Sequence, residues 1–443
     1  MLRQLKGLGL VAAATAVFGL VSIASAEVNF ESSGGMKWRG EEYSDTFTNA
    51  GLDSRSTDFS SMSINWDLKF MPDPKVMVFF QPKFVKNLGD DPAGSKGAAT
   101  NGDGYNDSGL DVHQGYLTYK AHDRASVTVG RYEMNYGDEY LIGSDSWTFT
   151  GRAFDGWKVN YKWSKGWLDA FYNKIKDKDA GHAGAVGVNG DDSDFYGLYH
   201  SMALGSTVSA FDLYYLVKSD RTTQTTPGPT ALVNTTGLRV KGGKGAVDFT
   251  AEYNTQSGET NAGAVTTDLE DAGSMRANVG FTFKQNWRLG LEYAASDRNY
   301  DQLFPSGSNW LGDISLFSRR NITDTAVSIS GTMMEHMTVN ATYHMLSRTE
   351  DGADKNGAFT SVYDFGGVAY GAAAAGNDSA VGNELDLNVT CSKMKALAWT
   401  LGYSQFSAGD YLTSTTAGLS AADQDDKKMS SISWVYLQAV AKF

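Results

Sequence analysis

Apolar and polar side chains alternate along many short runs of this chain. The run 62–70 is typical, because every second side chain is apolar and the ones between are polar. A period of two indicates a β-strand with one apolar and one polar face. The apolar members of this run are Met62, Ile64, Trp66, Leu68 and Phe70, and the polar members are Ser63, Asn65, Asp67 and Lys69.

Eighteen such runs occur, and the connections between them are alternately short and long. They are 28–39, 62–70, 76–84, 110–119, 127–131, 153–163, 167–172, 195–200, 209–217, 236–240, 247–253, 275–283, 287–293, 325–330, 337–345, 385–389, 397–403 and 432–443. Outer-membrane barrels combine short periplasmic turns with long extracellular loops. The sequence therefore predicts an all-β fold, a transmembrane antiparallel β-barrel of about 18 strands.

The N-terminus predicts export from the cytoplasm. Arg3 and Lys6 precede the apolar run 8–21, and Ala24-Ser25-Ala26 has the small side chains of a cleavage site. This is the pattern of a secretory signal peptide. We expect residues 1–26 to be that peptide, cleaved after Ala26, and residues 27–443 to form the barrel in the outer membrane of a Gram-negative bacterium.

Composition supports a barrel over a helical membrane protein. Past residue 26 no continuous apolar segment approaches the length of a membrane-spanning helix. Aromatic residues make up 12% of the chain and fall in the alternating runs, while Gly (49 residues) far outnumbers Pro (7 residues). Short alternating runs rich in aromatic side chains are typical of membrane strands.

Charge and chemistry exclude several other classes of protein. A net charge of −13 argues against a nucleic-acid partner. The single cysteine, Cys391, has no partner for a disulfide within the chain, and no CxxCH run attaches a haem, so we predict no cofactor. No hydrolase motif or metal-ligand spacing stands in a convincing context, which predicts a protein that is not an enzyme.

An acidic segment near residue 100 has two interpretations. Its side chains offer oxygen ligands to Ca²⁺, but the glycine of an EF-hand loop is missing, so a solvated acidic loop is favoured. The residues concerned are Asp90, Asp91, Asn101, Asp103, Asp107 and Asp111.

The last run ends the chain on an aromatic residue. Val435, Leu437, Ala439, Ala441 and Phe443 share one face. A terminal Phe on an alternating strand resembles the signal that outer-membrane barrels present to the barrel-assembly machinery. We therefore predict that this machinery is a partner of the chain and binds it through Phe443.

Strand parity predicts a basic lumen. If one face of each strand meets lipid, the polar face lines the interior. Arg152 has the parity of the inward set, whereas Arg131 shares the parity of Val129 and reaches the lumen only if the alternation breaks. Basic side chains around a pore favour anionic solutes. The predicted inward cations are Lys69, Lys83, Lys158, Lys162, Arg239, Arg276 and Arg288, beside Asp67, Asp248, Glu252 and Glu292.

The connection between the runs at 127–131 and 153–163 is unusually rich in charged and aromatic residues. We predict that this segment folds into the channel. It also carries a resemblance to the alginate-export family of outer-membrane porins. The matching residues are Gly130-Arg131, Tyr136-Gly137-Asp138-Glu139, Leu141-Ile142-Gly143, Trp147 and Gly151-Arg152-Ala153-Phe154-Asp155-Gly156.

The resemblance implies a monomeric 18-stranded barrel with a constriction of arginines and lysines balanced by loop carboxylates. Carried over by motif, Arg131 and Arg152 become pore residues, and Asp138, Glu139 and Asp155 become the partners that hold them. The implied function is passive passage of hydrophilic, anionic solutes through a barrel surrounded by outer-membrane lipid.

Two alternatives remain at this point. A non-selective porin for small solutes is favoured if the segment 132–150 lies outside the barrel. A structural sheath around a partner, such as an electron-carrying cytochrome or an export machine, predicts few constricting charges in the lumen. A barrel enzyme is less favoured than either.

Overall fold

The computed structural model describes residues 28–44, 57–88, 109–176, 192–220, 231–262, 265–270, 272–284, 286–307, 310–350, 362–363, 369–370, 379–414 and 431–443. The predicted signal peptide, 1–26, lies outside the described residues, as does most of the acidic segment with the candidate Ca²⁺ ligands. Within the described ranges, no helix is both long and apolar enough to cross a membrane.

The chain consists almost entirely of antiparallel strands. They are β1 (Asn29–Ser44), β2 (Thr57–Asp73), β3 (Val76–Leu88), β4 (Gly109–His122), β5 (Ala125–Tyr132), β6 (Phe154–Trp163), β7 (Gly166–Lys176), β8 (Ser193–Met202), β9 (Val208–Asp220), β10 (Ala231–Lys244), β11 (Val247–Ala262), β12 (Val265–Asp268), β13 (Gly273–Phe283), β14 (Trp287–Ser296), β15 (Ile322–Met334), β16 (Met337–Ser347), β17 (Val362–Tyr363), β18 (Ala369–Tyr370), β19 (Ala380–Met394), β20 (Leu397–Ala408) and β21 (Ser431–Lys442). The one described helix, α1, is the short segment Asp410–Ser414.

Eighteen of these strands close into a barrel, which confirms the predicted fold. Each of the 18 predicted runs corresponds to one barrel strand; β12 only extends the end of β11, and β17 and β18 form a separate pair. Closure comes from β1, which pairs with β2 on one side and with β21 on the other. Phe443 and Gly34 exchange backbone hydrogen bonds of 3.0 and 2.8 Å at this seam. A closed barrel pairs every strand edge, as a lipid environment requires.

The two ends of the barrel differ. At one end, connections of two to five residues join the strands, and at the other the connections are ten residues or longer. We call these the turn end and the loop end. The alternation predicted from the sequence is therefore present in the fold.

The two faces of the barrel wall differ as well. Outward side chains in the middle of the strands are exposed and apolar, among them Val129, Leu291 and Leu401, whereas the inward face is polar or buried under loops. An apolar band on the outside is what strands in contact with lipid require.

Gly130 marks a close approach between β4 and β5, and we expect it to tolerate no side chain. Its φ is +129°, and an added Cβ would lie 2.3 Å from the carbonyl oxygen of Gly115. Overpacking of this kind costs about 1–3 kcal/mol. Gly205 also has a positive φ, +147°, but its Cβ would meet no atom within 4 Å. In urea unfolding, Gly130→Ala should therefore lose about 1–3 kcal/mol more stability than Gly205→Ala. Equal losses would contradict the close approach.

Candidate functional site: a lumen constricted by two paired loops

The segment 133–153, which joins β5 to β6, folds into the barrel as predicted. We call it the first loop. Its apolar side chains are buried, and the ring of Tyr136 stacks on Tyr199 at a centroid distance of 4.4 Å and an interplanar angle of 11°. The Tyr136 hydroxyl donates to Asp169 at 2.8 Å. The loop is thus packed against the inner face of β7 and β8.

A second loop, 297–321 between β14 and β15, meets the first inside the barrel. The Gly143 N–H donates to the Phe304 carbonyl at 2.8 Å, and the Phe304 N–H donates to the Leu141 carbonyl at 2.9 Å. Ser306 Oγ donates to the Glu139 carboxylate. The described parts of the two loops therefore form one unit, the loop pair, which narrows the lumen.

Arg152 joins the two loops to each other. Its Nη1 donates to the carbonyl oxygens of Gly143 at 3.1 Å, Phe304 at 2.8 Å and Pro305 at 2.7 Å. One carbonyl belongs to the first loop and two belong to the second. Because its donors are directed at backbone oxygens, Arg152 acts here as a link within the loop pair.

Asp138 anchors the first loop to the basic wall of the barrel. Its carboxylate accepts from Arg239 at 2.7 Å, from Lys241 at 2.9 Å and from Arg276 at 3.3 Å. Arg239 also binds Asp212 of β9 at 2.7 Å. Three cations from β10 and β13 converge on one loop carboxylate, which partly neutralises them.

The far side of the first loop is anchored by β1 and β3. Lys37 Nζ donates to the carbonyls of Ser146, Trp147 and Thr148 at 2.8–2.9 Å. Lys83 Nζ donates to the Thr150 carbonyl at 2.9 Å. Lys37 was not among the predicted inward cations, although parity within 28–39 places it on the face opposite Phe30 and Trp38. The first loop thus extends across the lumen from one wall to the other.

Lys241 is partly exposed on the inner wall towards the turn end, and three further cations share this setting: Lys69, Lys158 and Arg288. The Lys241 side chain is 50% exposed, while its partner Asp138 is 19% exposed. The Lys158 side chain is 23% exposed and its partner Asp169 only 5%. In both pairs the lysine side chain is more exposed than the carboxylate that it binds.

A family model described as alginate export matches residues 34–422 of the chain. This match covers most of the barrel, including the loop pair. The chain belongs to the alginate export family. Family and fold are those of porins, which are outer-membrane channels of Gram-negative bacteria and not enzymes.

Solved porin structures share the fold of this alginate export family member. OccK11 (OpdR) of Pseudomonas aeruginosa is 12% identical, with a TM-score of 0.56 over 93% of this chain and 96% of that one. OccAB4 of Acinetobacter baumannii is 10% identical, with a TM-score of 0.58 over 95% and 100%. A BenF-like porin from Pseudomonas fluorescens Pf-5 is 12% identical, with a TM-score of 0.55 over 93% and 99%. At such identities the likeness shows the fold alone. The comparison with curated proteins gave no match.

In this alginate export family barrel, two residues of the motif, Arg131 and Asp155, do not lie at the pore as the resemblance implied. Arg131 opposes Asp155 in the unbroken β5–β6 register and binds it at 2.7 Å. Their face is that of Val129, which is 52% exposed on the outside of the barrel. The alternation continues without a bulge, so Arg131 and Asp155 point outward and neither lines the pore. The expectation carried over by motif is corrected.

The other predicted cations lie on the inner face, in different settings. Arg239 and Arg276 are buried under the first loop, Lys83 binds that loop, and Arg288 binds Asp248 at 2.9 Å. Lys162 is exposed beside the turn after β6. Two of the predicted inward carboxylates bind other side chains of the barrel wall. Glu252 accepts from the Tyr214 hydroxyl at 2.9 Å, and Glu292 binds Arg276 at 2.9 Å.

The Asp138 anchor is expected to withstand acid. Burial alone would raise the pKa of Asp138, but the hydrogen bonds and charges of Lys241 and Arg239 outweigh burial and lower it to about 2. A lowered carboxyl pKa stabilises the anchored state above the ordinary value of 3.8, and this stabilisation is lost as pH falls towards 2. We expect Met134→Cys, in a Cys391→Ser background, to react slowly with a dipyridyl disulfide at pH 7 and 4. Reaction should accelerate only below about pH 3. Rapid reaction at pH 4 would contradict the anchor.

Proposed function

We propose that this porin passes hydrophilic, anionic solutes by diffusion, with the long loops facing the outside of the cell. The observation that carries the proposal is the exposure of Lys241 beside the loop pair while its partner Asp138 is largely covered. A pair arranged in this way presents positive charge to a solute at the narrow part of the lumen. A ring of basic side chains raises the local concentration of anions and lowers that of cations.

The inward fold of the first loop bears on the alternatives. A non-selective porin was favoured by a loop lying outside, but this loop crosses the lumen and is held by Lys37, Lys83 and Arg239. A sheath around a protein partner predicts few constricting charges, whereas this lumen holds many. The geometry therefore supports a selective channel over both.

Uptake into proteoliposomes tests the proposal. A neutral hexose and its uronate are nearly equal in size and differ in one carboxylate. We expect the uronate to enter several-fold faster at pH 7.5, and we expect Lys241→Gln combined with Arg288→Gln to remove most of this preference while leaving hexose uptake unchanged. Faster entry of the hexose would contradict an anion-selective lumen.

A further inference from the structure

The second loop touches the barrel wall through a group of carboxylates on β15 and β19, next to the basic wall formed by β10 and β13. We call residues 311–314 the loop tip. The Ile314 N–H donates to Glu384 Oε1 at 2.8 Å, and Asn388 Nδ2 donates to Asp313 Oδ2 at 2.6 Å. Gly312 has a φ of +97°, and an added Cβ would lie 2.4 Å from Glu384 Cδ. The tip is therefore seated directly on Glu384 of β19.

The wall beneath the tip holds more negative charge than its neighbours neutralise. Asp324 of β15 and Asp386 of β19 flank His344 of β16, at 2.8 Å from Nδ1 and 3.7 Å from Nε2. Asp386 is 2% exposed and accepts no hydrogen bond from an N–H group of the described residues; its carboxyl group and that of Glu384 lie within hydrogen-bonding reach of each other. An uncompensated buried carboxylate is costly, so such a group tends to bind a proton.

The other groups that face this cluster do not supply the missing positive charge. Glu292 of β14 adds a negative charge near Asp324, and the Tyr436 hydroxyl of β21 donates to Asn388 at 2.7 Å. Arg39 of β1 lies near Tyr436, but it is paired with Glu41 at 3.0 Å. One imidazolium cannot balance Asp313, Asp324, Glu384 and Asp386.

We propose that the loop tip is a proton-operated gate, closed when Asp313, Glu384 and Asp386 share protons and released when those protons are lost. At higher pH the like charges of Asp313 on the tip and of Glu384 and Asp386 on the wall repel each other. The tip then moves away from β19 and the lumen widens on this side. The effect on transport rests on the proposed function, whereas the movement of the tip does not.

The titration of Asp313 agrees with this direction. Burial, and then the negative charge of Asp386, raise the pKa of Asp313 to about 6 from 3.8. A raised carboxyl pKa means that docking of the tip is strongest below 3.8 and weakens as pH rises through about 6. The gate is thus closed in acid and opens towards neutral pH.

Thiol accessibility tests the movement without relying on transport. Leu311→Cys, in a Cys391→Ser background, places a thiol on the buried tip. The same thiol in a Glu384→Gln/Asp386→Asn background reports the titration of the thiol alone, because the thiolate is the reactive form. We expect the reaction with a dipyridyl disulfide to accelerate between pH 4.5 and pH 7.5 at least tenfold more in the wild-type background than in this control. Equal pH dependence of the reaction rate in the two backgrounds would overturn the gate. The gate would also be overturned if the rate responded to added Ca²⁺ but, with EDTA present, did not respond to pH.

Single-channel recording then tests the consequence. Wild-type conductance should be several-fold higher at pH 7.5 than at pH 4.5, and the Glu384→Gln/Asp386→Asn variant should keep the low value at both. Asp248→Asn removes an inward carboxylate of β11, outside the cluster beneath the tip, and should retain the wild-type pH response. Conductance independent of pH in the wild type would overturn the gate. If no current is seen although the thiol responds to pH, the proposed function fails and the gate stands.

Discussion

Replacing Asp138 by asparagine is expected to raise both the conductance and the anion selectivity of the channel at pH 7.5. The substitution keeps the shape of the side chain but removes the charge that binds Arg239, Lys241 and Arg276. Breaking a largely buried ion pair from one side costs about 3–5 kcal/mol. Since 1.4 kcal/mol changes a population tenfold, the first loop should leave the wall for a substantial fraction of the time. Three unpaired cations would then face the solute.

Asp155→Asn is the matched control for this experiment. Asp155 also binds an arginine at 2.7 Å, but that pair faces outward from β5 and β6. Conductance and selectivity should therefore stay at the wild-type values. If the two variants behave alike, or if Asp138→Asn reduces anion selectivity, the role given to Asp138 is wrong.

Replacing Arg152 by alanine should separate the two loops without unfolding the barrel. The carbonyls of Gly143, Phe304 and Pro305 would lose a charged donor, and hydrogen bonds to charged groups are worth about 1.5–3 kcal/mol each. We expect larger and noisier single-channel currents. Arg152→Lys, which keeps the charge but lacks the planar guanidinium, should give an intermediate result.

Arg131→Ala provides the comparison, since Arg131 lies on the outer face and should leave the current unchanged. Heat-modifiable migration on electrophoresis would show that each variant remains folded. If the folded Arg152→Ala variant gave currents as small and as free of noise as those of the wild type, the backbone hydrogen bonds between Gly143 and Phe304 would be enough to hold the loops together.

The barrel itself was predictable, because lipid on one side and the lumen on the other impose a period of two on every strand. All 18 runs were found for this reason, and the face of Arg239, Arg276 and Arg288 followed from the same parity. Strand parity predicts which face of the barrel wall a side chain lies on, but it does not predict whether a loop buries that side chain. The burial of Arg239 and Arg276 depends on Asp138, which lies 101 and 138 residues away along the chain.

Arg131 shows where similarity of motif and strand parity conflict. The motif placed Arg131 in the pore and the parity of Val129 placed it outside, and the unbroken register with Asp155 decides for parity. The second loop could not have been predicted from local pattern. Its contacts with Glu139, Gly143 and Arg152 join segments more than 150 residues apart. The seat of the loop tip on Glu384 is equally a product of tertiary structure.

The most direct test of the account is the reversal potential of the wild-type channel in a tenfold KCl gradient at pH 7.5, beside the Lys241→Gln/Arg288→Gln variant. The loop pair stays anchored in that variant, because Asp138 keeps Arg239 and Arg276. An anion-selective lumen predicts a potential of the sign set by chloride in the wild type and a value close to zero in the variant. A potential of the sign set by potassium, or one unchanged by the substitutions, would contradict a lumen whose exposed lysine and arginine side chains select anions.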